Sequence, residues 1–314
     1  MPTTPRHIYT FKYDSHHHEL CKLESRHLFN EELKDNLLFS NITVLPSISP
    51  FIKNRFQILL NFESYAELIN AIKNQNIQEE DFKAEYLVLA GDETDYTERL
   101  KKLRDVGMSI EGEPDYYHPS IIYSICHFNN RWYFGILTKN DTSWHQHKQK
   151  PCSFSNSISM YIAKTLVSVA SQGVGSRQLL DACCGVGTVM LEACYSQFNI
   201  DGCDISSTAC EYTKENLAHY NYSAIVFPLD IQGLDKTYDA AIIDLPYNLY
   251  AYSDDAITSH IITSTANLTS RIVIVSLSNI QTIIETAGLQ IVDFCTVEKR
   301  GTSKFTRNIW VCEK

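Results

Sequence analysis

From Leu179 to the end of the chain, short apolar runs alternate with segments of helical pattern. This alternation is typical of a parallel β-sheet with helices on both faces, because parallel neighbours need a long crossover connection. We predict strands at about 179–183, 199–204, 224–229, 239–244, 271–277, 289–297 and 306–312, and helices at 187–197, 206–220, 254–268 and 279–287. The short link between the last two strands predicts an antiparallel hairpin at the sheet edge.

The first half of the chain has a different order of elements. We predict strands near 7–13, 42–46, 56–62, 85–90, 121–127 and 131–138, and helices near 17–29, 64–74 and 96–106. The order within residues 7–74 indicates a small α+β sandwich, followed by a second small α+β unit. The polar stretch 138–150 is interpreted as a linker, which gives two predicted domains, 1–145 and 146–314.

The charge of the 314-residue chain limits its partners. The formal net charge is −10, with 17 basic and 21 acidic side chains in residues 1–150 and 10 and 16 in residues 151–314. Because affinity for phosphate comes largely from Lys and Arg, this balance argues against broad nucleic-acid binding and leaves room for a local basic patch. No apolar run resembles a signal peptide or a membrane span, so we expect a cytoplasmic protein with no membrane partner and with reduced cysteines.

The segment 179–188, LLDACCGVGT, is an apolar strand that continues into a glycine-bearing turn and then a helix. Glycine permits positive φ and close approach of a ligand, and such turns lie at the sheet edge where open α/β folds bind ligands. Gly185 and Gly187 therefore indicate a cofactor-binding turn. Met190 stands where dinucleotide-binding proteins have a third glycine, which disfavours a dinucleotide.

An acidic residue lies at or near the end of each of the first three predicted strands of this half. They are Asp181, Asp204 and Asp230. A carboxylate at the second strand end can accept both ribose hydroxyls, and one at the third can accept an adenine amino group. Each acid could instead cap the next helix. Three acids in these positions together favour a cofactor site.

In this arrangement the sequence resembles the Rossmann-like methyltransferases of class I, whose α/β domain has a seven-stranded sheet. Here a smaller α+β region precedes it. The resemblance implies S-adenosyl-L-methionine as cofactor, with methionine near Asp181, ribose at Asp204 and adenine at Asp230. The run 150–157, KPCSFSNS, resembles an additional cofactor motif of this group, although a plain linker is the alternative. The implied contacts are Phe154, Ser155, Asp181, Cys183, Gly185, Gly187, Thr188, Asp204, Ile205, Asp230, Ile231 and Asp244.

The fourth predicted strand ends in the segment Asp244-Leu245-Pro246-Tyr247-Asn248. It is similar to the Asp/Asn-Pro-Pro-Tyr/Phe signature of methyltransferases that act on planar amino groups, with a leucine in place of the first proline. An aromatic amine delocalises its lone pair, so acceptors for its N–H groups make it a better nucleophile. The predicted acceptors are Asp244 and the Leu245 carbonyl, Pro246 shapes the loop, and Tyr247 stacks on the base beside Asn248. A Pro-containing turn with a core tyrosine is the alternative.

The predicted edge hairpin contains four basic residues in a stretch of nine, namely Lys299, Arg300, Lys304 and Arg307. This cluster predicts a phosphate contact by Arg300, Lys304 and Arg307, and a solvated hairpin is the alternative. The run 300–311, RGTSKFTRNIWV, resembles the end of tRNA guanine-N2 methyltransferases, which carry an N-terminal ferredoxin-like and THUMP module for RNA capture. The looser resemblance of residues 1–145 implies a degenerate form of that module.

The resemblance thus implies methylation of the exocyclic amine of guanine in tRNA. A DNA or other amino-group methyltransferase is one alternative, and a non-catalytic RNA-binding protein that retains the fold is another. A small activating protein or a second copy of the chain stays open as a partner. We assign no metal ligand. The histidines at 16–18 lack a matching Cys or Asp array and are interpreted as a solvated turn, and those at 145 and 147, in the linker, are expected to contact nothing, with a phosphate contact as the alternative.

Overall fold

The computed structural model describes residues 5–155, 157–246, 255–298 and 306–314. Contacts between Cα atoms divide the chain into two units. The first unit comprises Met1–Lys12, Leu33–Pro46 and Ile52–Asn140, and the second comprises Tyr13–Glu32, Ser47–Phe51 and Asp141–Lys314. Among the described helices, none combines the length and the apolar character that crossing a bilayer requires.

The elements that the structure describes follow one another in this order: β1 (His7–Phe11), α1 (His18–Phe29), β2 (Leu37–Ser40), β3 (Ile52–Phe62), α2 (Tyr65–Asn74), β4 (Phe82–Tyr86), α3 (Tyr96–Gly107), β5 (Ile121–Phe128), β6 (Arg131–Lys139), α4 (Met160–Ser171), β7 (Gln178–Asp181), α5 (Thr188–Tyr195), β8 (Asn199–Asp204), α6 (Ser207–His219), β9 (Ile225–Pro228), β10 (Ala240–Asp244), α7 (Asp255–Leu268), β11 (Arg271–Ser276), α8 (Gln281–Thr286), β12 (Gln290–Glu298) and β13 (Thr306–Glu313).

The first unit is built on a single six-stranded sheet in the order β2-β1-β3-β6-β5-β4. Its neighbouring strands are antiparallel except for the parallel pair β4 and β5. Side chains of α2 and α3, including Leu68 and Val106, pack with sheet residues such as Phe134 in one core. The two successive α+β units predicted from the sequence are therefore wrong, because all six strands pair in one sheet.

The strand predicted at 42–46 is also wrong, since the strand in this region is β2, Leu37–Ser40. The hydroxyl of Tyr9 donates to the carbonyl of Ile42 at 2.8 Å and accepts from the N–H of Val44 at 2.8 Å. Pro46, which has no N–H, then begins a short 3-10 turn. The apolar side chains of this stretch thus belong to a loop, and the hydroxyl of Tyr9 takes the place of a strand partner for its backbone groups.

Helix α1 belongs to the second unit, although it precedes most of the first unit in the chain. Its fully buried Glu24 accepts hydrogen bonds from the hydroxyls of Ser49 and Ser168, both at 2.5 Å. Arg26 makes a paired hydrogen bond with the carboxylate of Asp293 on β12, at 2.8 and 2.9 Å. The boundary predicted between 145 and 146 differs from this division, because Tyr13–Glu32 and Ser47–Phe51 belong to the second unit.

The second unit contains the predicted seven-stranded sheet, in the order β12-β13-β11-β10-β7-β8-β9. Its five strands from β7 to β11 are mutually parallel, and β13 is antiparallel to both of its neighbours, as the predicted edge hairpin requires. The chain runs outward from β7 to β9 and then returns to place β10 on the other side of β7. The predicted fold class is confirmed. The direction of winding reverses between β7 and β10, where a doubly wound sheet opens a crevice.

The stretch interpreted as a polar linker is instead packed structure. Residues Ser143–Gln149 form 3-10 turns in which Trp144 and His147 are buried. The Nδ1 atom of His147 lies 2.8 Å from a carboxylate oxygen of buried Glu192, and its Nε2 atom lies 3.2 Å from the hydroxyl of Tyr222. The expectation that His147 contacts nothing is therefore wrong. His17, in the other histidine run, is also buried.

Candidate active site

The glycine turn after β7 uses its two glycines differently. Gly185 and Gly187 have φ values of +54° and +77°, which glycine adopts without strain. A Cβ atom on Gly187 would lie 2.7 Å from a side-chain carbon of Thr213, whereas one on Gly185 would meet no atom within 4 Å. Gly187 thus permits close packing of the turn on α6, and Gly185 leaves its open side accessible.

Asp204, at the end of β8, is tied to this turn. Its Oδ2 atom accepts the N–H of Gly185 at 2.9 Å, and its Oδ1 atom accepts the N–H of Ser206 at 2.8 Å. A carboxylate has about four acceptor positions, so two remain for a ligand. The same backbone bonds fix the direction in which those two positions point.

Asn216 on α6 joins two loops, and the sequence interpretation missed it. Its side-chain amide exchanges hydrogen bonds with the backbone of Cys152, both at 2.9 Å, and also donates to the carbonyl of Val186 at 2.8 Å. Asn216 is fully buried. The polar residues Thr213 and Asn216, spaced i and i+3 on an otherwise apolar helix face, are the signal that could have indicated this contact.

These elements line a cleft at the carboxyl ends of the strands, where open α/β folds bind ligands. Nine residues predicted to bind cofactor or act in catalysis line it: Phe154, Asp181, Cys183, Gly185, Thr188, Asp204, Asp244, Leu245 and Pro246. Five further lining residues were not predicted: Ser157, Ile158, Cys184, Val186 and Val189. The predicted residues Ser155, Gly187, Ile205, Asp230 and Ile231 are not among the residues that line the cleft.

Asp230 has local partners of its own. Its Oδ1 atom accepts the N–H of Gln232 at 2.9 Å and lies 2.8 Å from Nε2 of His260. These two contacts, the backbone one first, lower the pKa of Asp230. Ile231 is buried beside a neighbouring groove that His260 also lines, while Ile205 is exposed. An adenine contact for these residues stays a prediction.

Two carboxyl groups lie in the cleft at the ends of the adjacent strands β7 and β10. Asp181 is only 1% exposed, and neither of its oxygens has a hydrogen-bond partner among the described residues. Burial, with Asp244 and Asp204 nearby, raises the pKa of Asp181 well above its usual value, and the amide of Cys183 opposes this more weakly. Burial raises the pKa of Asp244 to about 7, and the positive charge of Arg307 opposes that rise.

Arg307 differs from the exposed phosphate contact that the sequence predicted. It is 5% exposed, and its charge acts on Asp244. Strand pairing explains the placement, because Asp244 pairs with Val275 on β11 and Val275 pairs with Ile309 on β13. Arg307 therefore lies on β13 two residues from Ile309, the residue that is level with Asp244 across the sheet. The other predicted substrate contacts, Asn248, Arg300 and Lys304, and the stacking residue Tyr247 lie outside the described residues.

Leu245 stands where the similar signature has a proline, and the structure gives the leucine two roles. Its N–H donates to the carbonyl of Val275 at 3.1 Å, a bond that proline could not make. Its side chain is buried in the core of the second unit. The loop after β10 is therefore held at its first residue by sheet pairing and packing.

The second unit has the topology of a doubly wound, Rossmann-like α/β domain, with the cleft at its switch point. Residues 147–286 match the family described as methyltransferase small domain, in agreement with the resemblance seen in the sequence. A curated relative, tRNA (guanine(10)-N2)-dimethyltransferase of Methanothermobacter thermautotrophicus, is 29% identical over 119 residues, 37% of this chain and 35% of the relative. The chain thus matches about a third of that protein's length.

Two solved structures are similar over nearly the whole chain. TrmN from Thermus thermophilus has a TM-score of 0.47 and 13% identity, covering 98% of this chain and 99% of its own. A predicted N6-adenine-specific DNA methylase from Listeria monocytogenes has a TM-score of 0.45 and 11% identity, covering 98% and 96%.

The buried carboxyl of Asp181 should cost the protein stability at neutral pH. Folding raises its pKa, so the folded carboxyl holds its proton to higher pH than the unfolded chain does, and stability is lost as the pH rises above about 4. Asp181→Asn should therefore increase the free energy of unfolding by about 1–3 kcal/mol near neutral pH. Urea unfolding at several pH values should show this gain shrinking toward pH 4.

Asp201→Asn is the matched control, because Asp201 is a buried carboxylate of the same sheet that has partners. Its Oδ2 atom accepts from Lys236 at 2.6 Å and from the hydroxyl of Tyr238 at 3.0 Å. Removing that charge should destabilise the protein at neutral pH. Equal destabilisation by both substitutions would contradict the account of Asp181.

Proposed function

We propose that this chain is an S-adenosyl-L-methionine-dependent N-methyltransferase that methylates the exocyclic amine of guanine in tRNA. The observation that carries the proposal is the position of Asp244. It ends β10 at the switch point of the sheet and lines the same cleft as Gly185 and Asp204. The match to the methyltransferase small domain and the name of the curated relative support the reaction and the substrate.

The cleft fits the cofactor in three respects. Asp204 has two acceptor positions left for ribose hydroxyls, and Gly185 presents open backbone to the methionine portion. The buried, unpartnered oxygens of Asp181 supply acceptors for an ammonium group. Phe154 also lines the cleft, and its ring makes a T-shaped contact with that of Tyr212, with centroids 5.9 Å apart. When bound, S-adenosyl-L-methionine supplies an electrophilic methyl group on a sulfonium.

Asp244 has to be ionised to accept an N–H of the substrate amine. Its burial favours the neutral form, and Arg307 favours the charged form. The carboxylate and the carbonyl of Leu245 would hold the amine's two N–H groups, which directs the nitrogen lone pair at the methyl group. Tyr247 is assigned the stacking role and Asn248 a substrate contact on the sequence alone. No metal takes part in this scheme.

The RNA part of the proposal relies on local features, because the chain is acidic overall. On the sequence alone, Arg300 and Lys304 are the candidate phosphate contacts, and the first unit is the candidate module for RNA capture. A DNA or other amino-group substrate is the second candidate.

The experiment that tests the proposal is methyl transfer from labelled S-adenosyl-L-methionine to unmodified tRNA and to DNA, with nucleoside mass spectrometry of the products. We expect label in N2-methylguanosine or N2,N2-dimethylguanosine, sensitive to RNase. Label in DNA alone would move the assignment to the second candidate. Failure to bind S-adenosyl-L-methionine by calorimetry would favour a non-catalytic protein that retains the fold.

Two substitutions separate cofactor binding from catalysis. Asp244→Ala should lower kcat by at least about two orders of magnitude with little change in cofactor affinity, because Asp244 serves the nucleophile. Asp204→Ala should weaken cofactor binding by roughly 1.5–3 kcal/mol, the range for a hydrogen bond to a charged group. Calorimetry and single-turnover rates measure both effects. Near-normal turnover of Asp244→Ala would end its assignment as the acceptor.

Arg307 should set the acid side of the pH profile. The pKa of Asp244 is about 7 with Arg307 present, and it should rise when the positive charge is lost. Arg307→Met should therefore shift the acid limb of kcat to higher pH, so that activity is lost at pH 7 and partly recovered above it. Arg307→Lys keeps the charge and should keep the profile. An unchanged acid limb in a folded Arg307→Met protein would contradict the role.

A further inference from the structure

The turn that precedes α1 brings three metal-ligating side chains together. Residues Ser15–His17 form a 3-10 turn in which the N–H of His17 donates to the carbonyl of Asp14 at 2.8 Å. Side chains three residues apart eclipse in a 3-10 turn, so Asp14 and His17 project to the same side. His16 lies beside them, with its ring centroid 3.8 Å from that of His17.

The surroundings hold one of these rings in place. His17 is buried and stacks on the ring of Tyr161, with centroids 4.8 Å apart and planes at 17°. Phe51 packs on the same two rings at 5.7 and 6.2 Å. The His17 ring is therefore fixed by packing, which leaves its nitrogen atoms in defined positions.

The polar atoms of the cluster lie close to one another. One ligand atom from each of Asp14, His16 and His17 lies within 4.8 Å of the other two. The Nδ1 atom of His16 is buried and has no hydrogen-bond partner among the described residues. A buried polar atom without a partner costs about 1–3 kcal/mol, and a coordinated cation would provide the missing partner.

We propose that Asp14, His16 and His17 bind one divalent transition-metal ion, with Zn²⁺ as the fitting example. Two imidazoles and one carboxylate suit such an ion, whereas Mg²⁺ and Ca²⁺ require oxygen ligands. Ligand atoms about 2.0–2.1 Å from a tetrahedral metal are about 3.3 Å apart. Rotation of exposed Asp14 and half-buried His16 can supply this contraction. Water would complete the coordination.

This metal site is separate from the methyl-transfer cleft, since none of its three residues lines that cleft. All three ligands lie in the turn that precedes α1, and His17 of this turn stacks on Tyr161 of α4. The ion would therefore fix the conformation of the turn from which α1 begins. The proposal does not depend on the proposed methyltransferase function.

The test is Co²⁺ and Zn²⁺ binding to the full chain without a histidine tag, followed by the visible absorption of Co²⁺ and by calorimetry. We expect one equivalent to bind and the thermal midpoint to rise with the metal, because the ion binds the folded state. His16→Ala and Asp14→Asn should each weaken binding at least about tenfold. His18→Ala is the matched control, because His18 belongs to the same run but contacts the hydroxyl of Tyr13 at 3.1 Å.

Retention of metal affinity in His16→Ala and Asp14→Asn, or an equal loss in His18→Ala, would overturn the assignment. Absence of stoichiometric binding by the wild-type chain would do the same. Circular dichroism and metal-free thermal midpoints of the variants distinguish loss of ligands from loss of folding. These readouts involve no methyl transfer, so failure here leaves the proposed function intact, and the reverse also holds.

Discussion

The structure of the second unit depends on the reversal of winding between β7 and β10. Because these strands are parallel neighbours, Asp181 and Asp244 end at the same edge, where Asp181 and the Oδ1 atom of Asp244 are buried. Desolvation raises the pKa of both carboxyls, and the nearby charges of Asp244 and Asp204 raise that of Asp181 further. The fold tolerates this cost at the one edge where a ligand can supply partners. Structural carboxylates elsewhere, such as Asp201 and Glu24, have partners within the chain.

Helix α6 gives this edge its shape. Its Thr213 packs under Gly187 and donates to the carbonyl of Gly185 at 2.8 Å, and its Asn216 holds the backbone at Cys152. Helix α6 thus holds the glycine turn and the backbone at Cys152. Asp204 is bonded to the same turn through the N–H of Gly185. A ligand would meet acceptors that are already oriented, which reduces the ordering cost of binding.

Features that depend on residues close together in the sequence could be predicted, and features that depend on distant residues could not. Periodicity predicted the seven strands and strand-end acids predicted Asp181, Asp204 and Asp244, because both signals are local to each crossover unit, while the other predicted lining residues came from the glycine turn and the resemblance to methyltransferases. The membership of α1, the packed 3-10 turns with His147 and the placement of Arg307 could not be predicted. Each depends on a buried partner far away in sequence, such as Ser168, Glu192 or Asp244. A polar residue with such a partner looks solvated in the sequence.

Leu245 shows how a departure from a signature can keep the geometry that the chemistry needs. A proline at this position would fix φ through its ring, at the expense of its N–H group. Leucine leaves φ free, but the bond from its N–H to Val275 extends the pairing of β10 with β11 by one residue beyond Asp244. Burial of the leucine side chain adds a second restraint. The carbonyl of Leu245 therefore belongs to a residue whose N–H is paired and whose side chain is buried. The sheet thus supplies the constraint that the proline ring supplies in the signature.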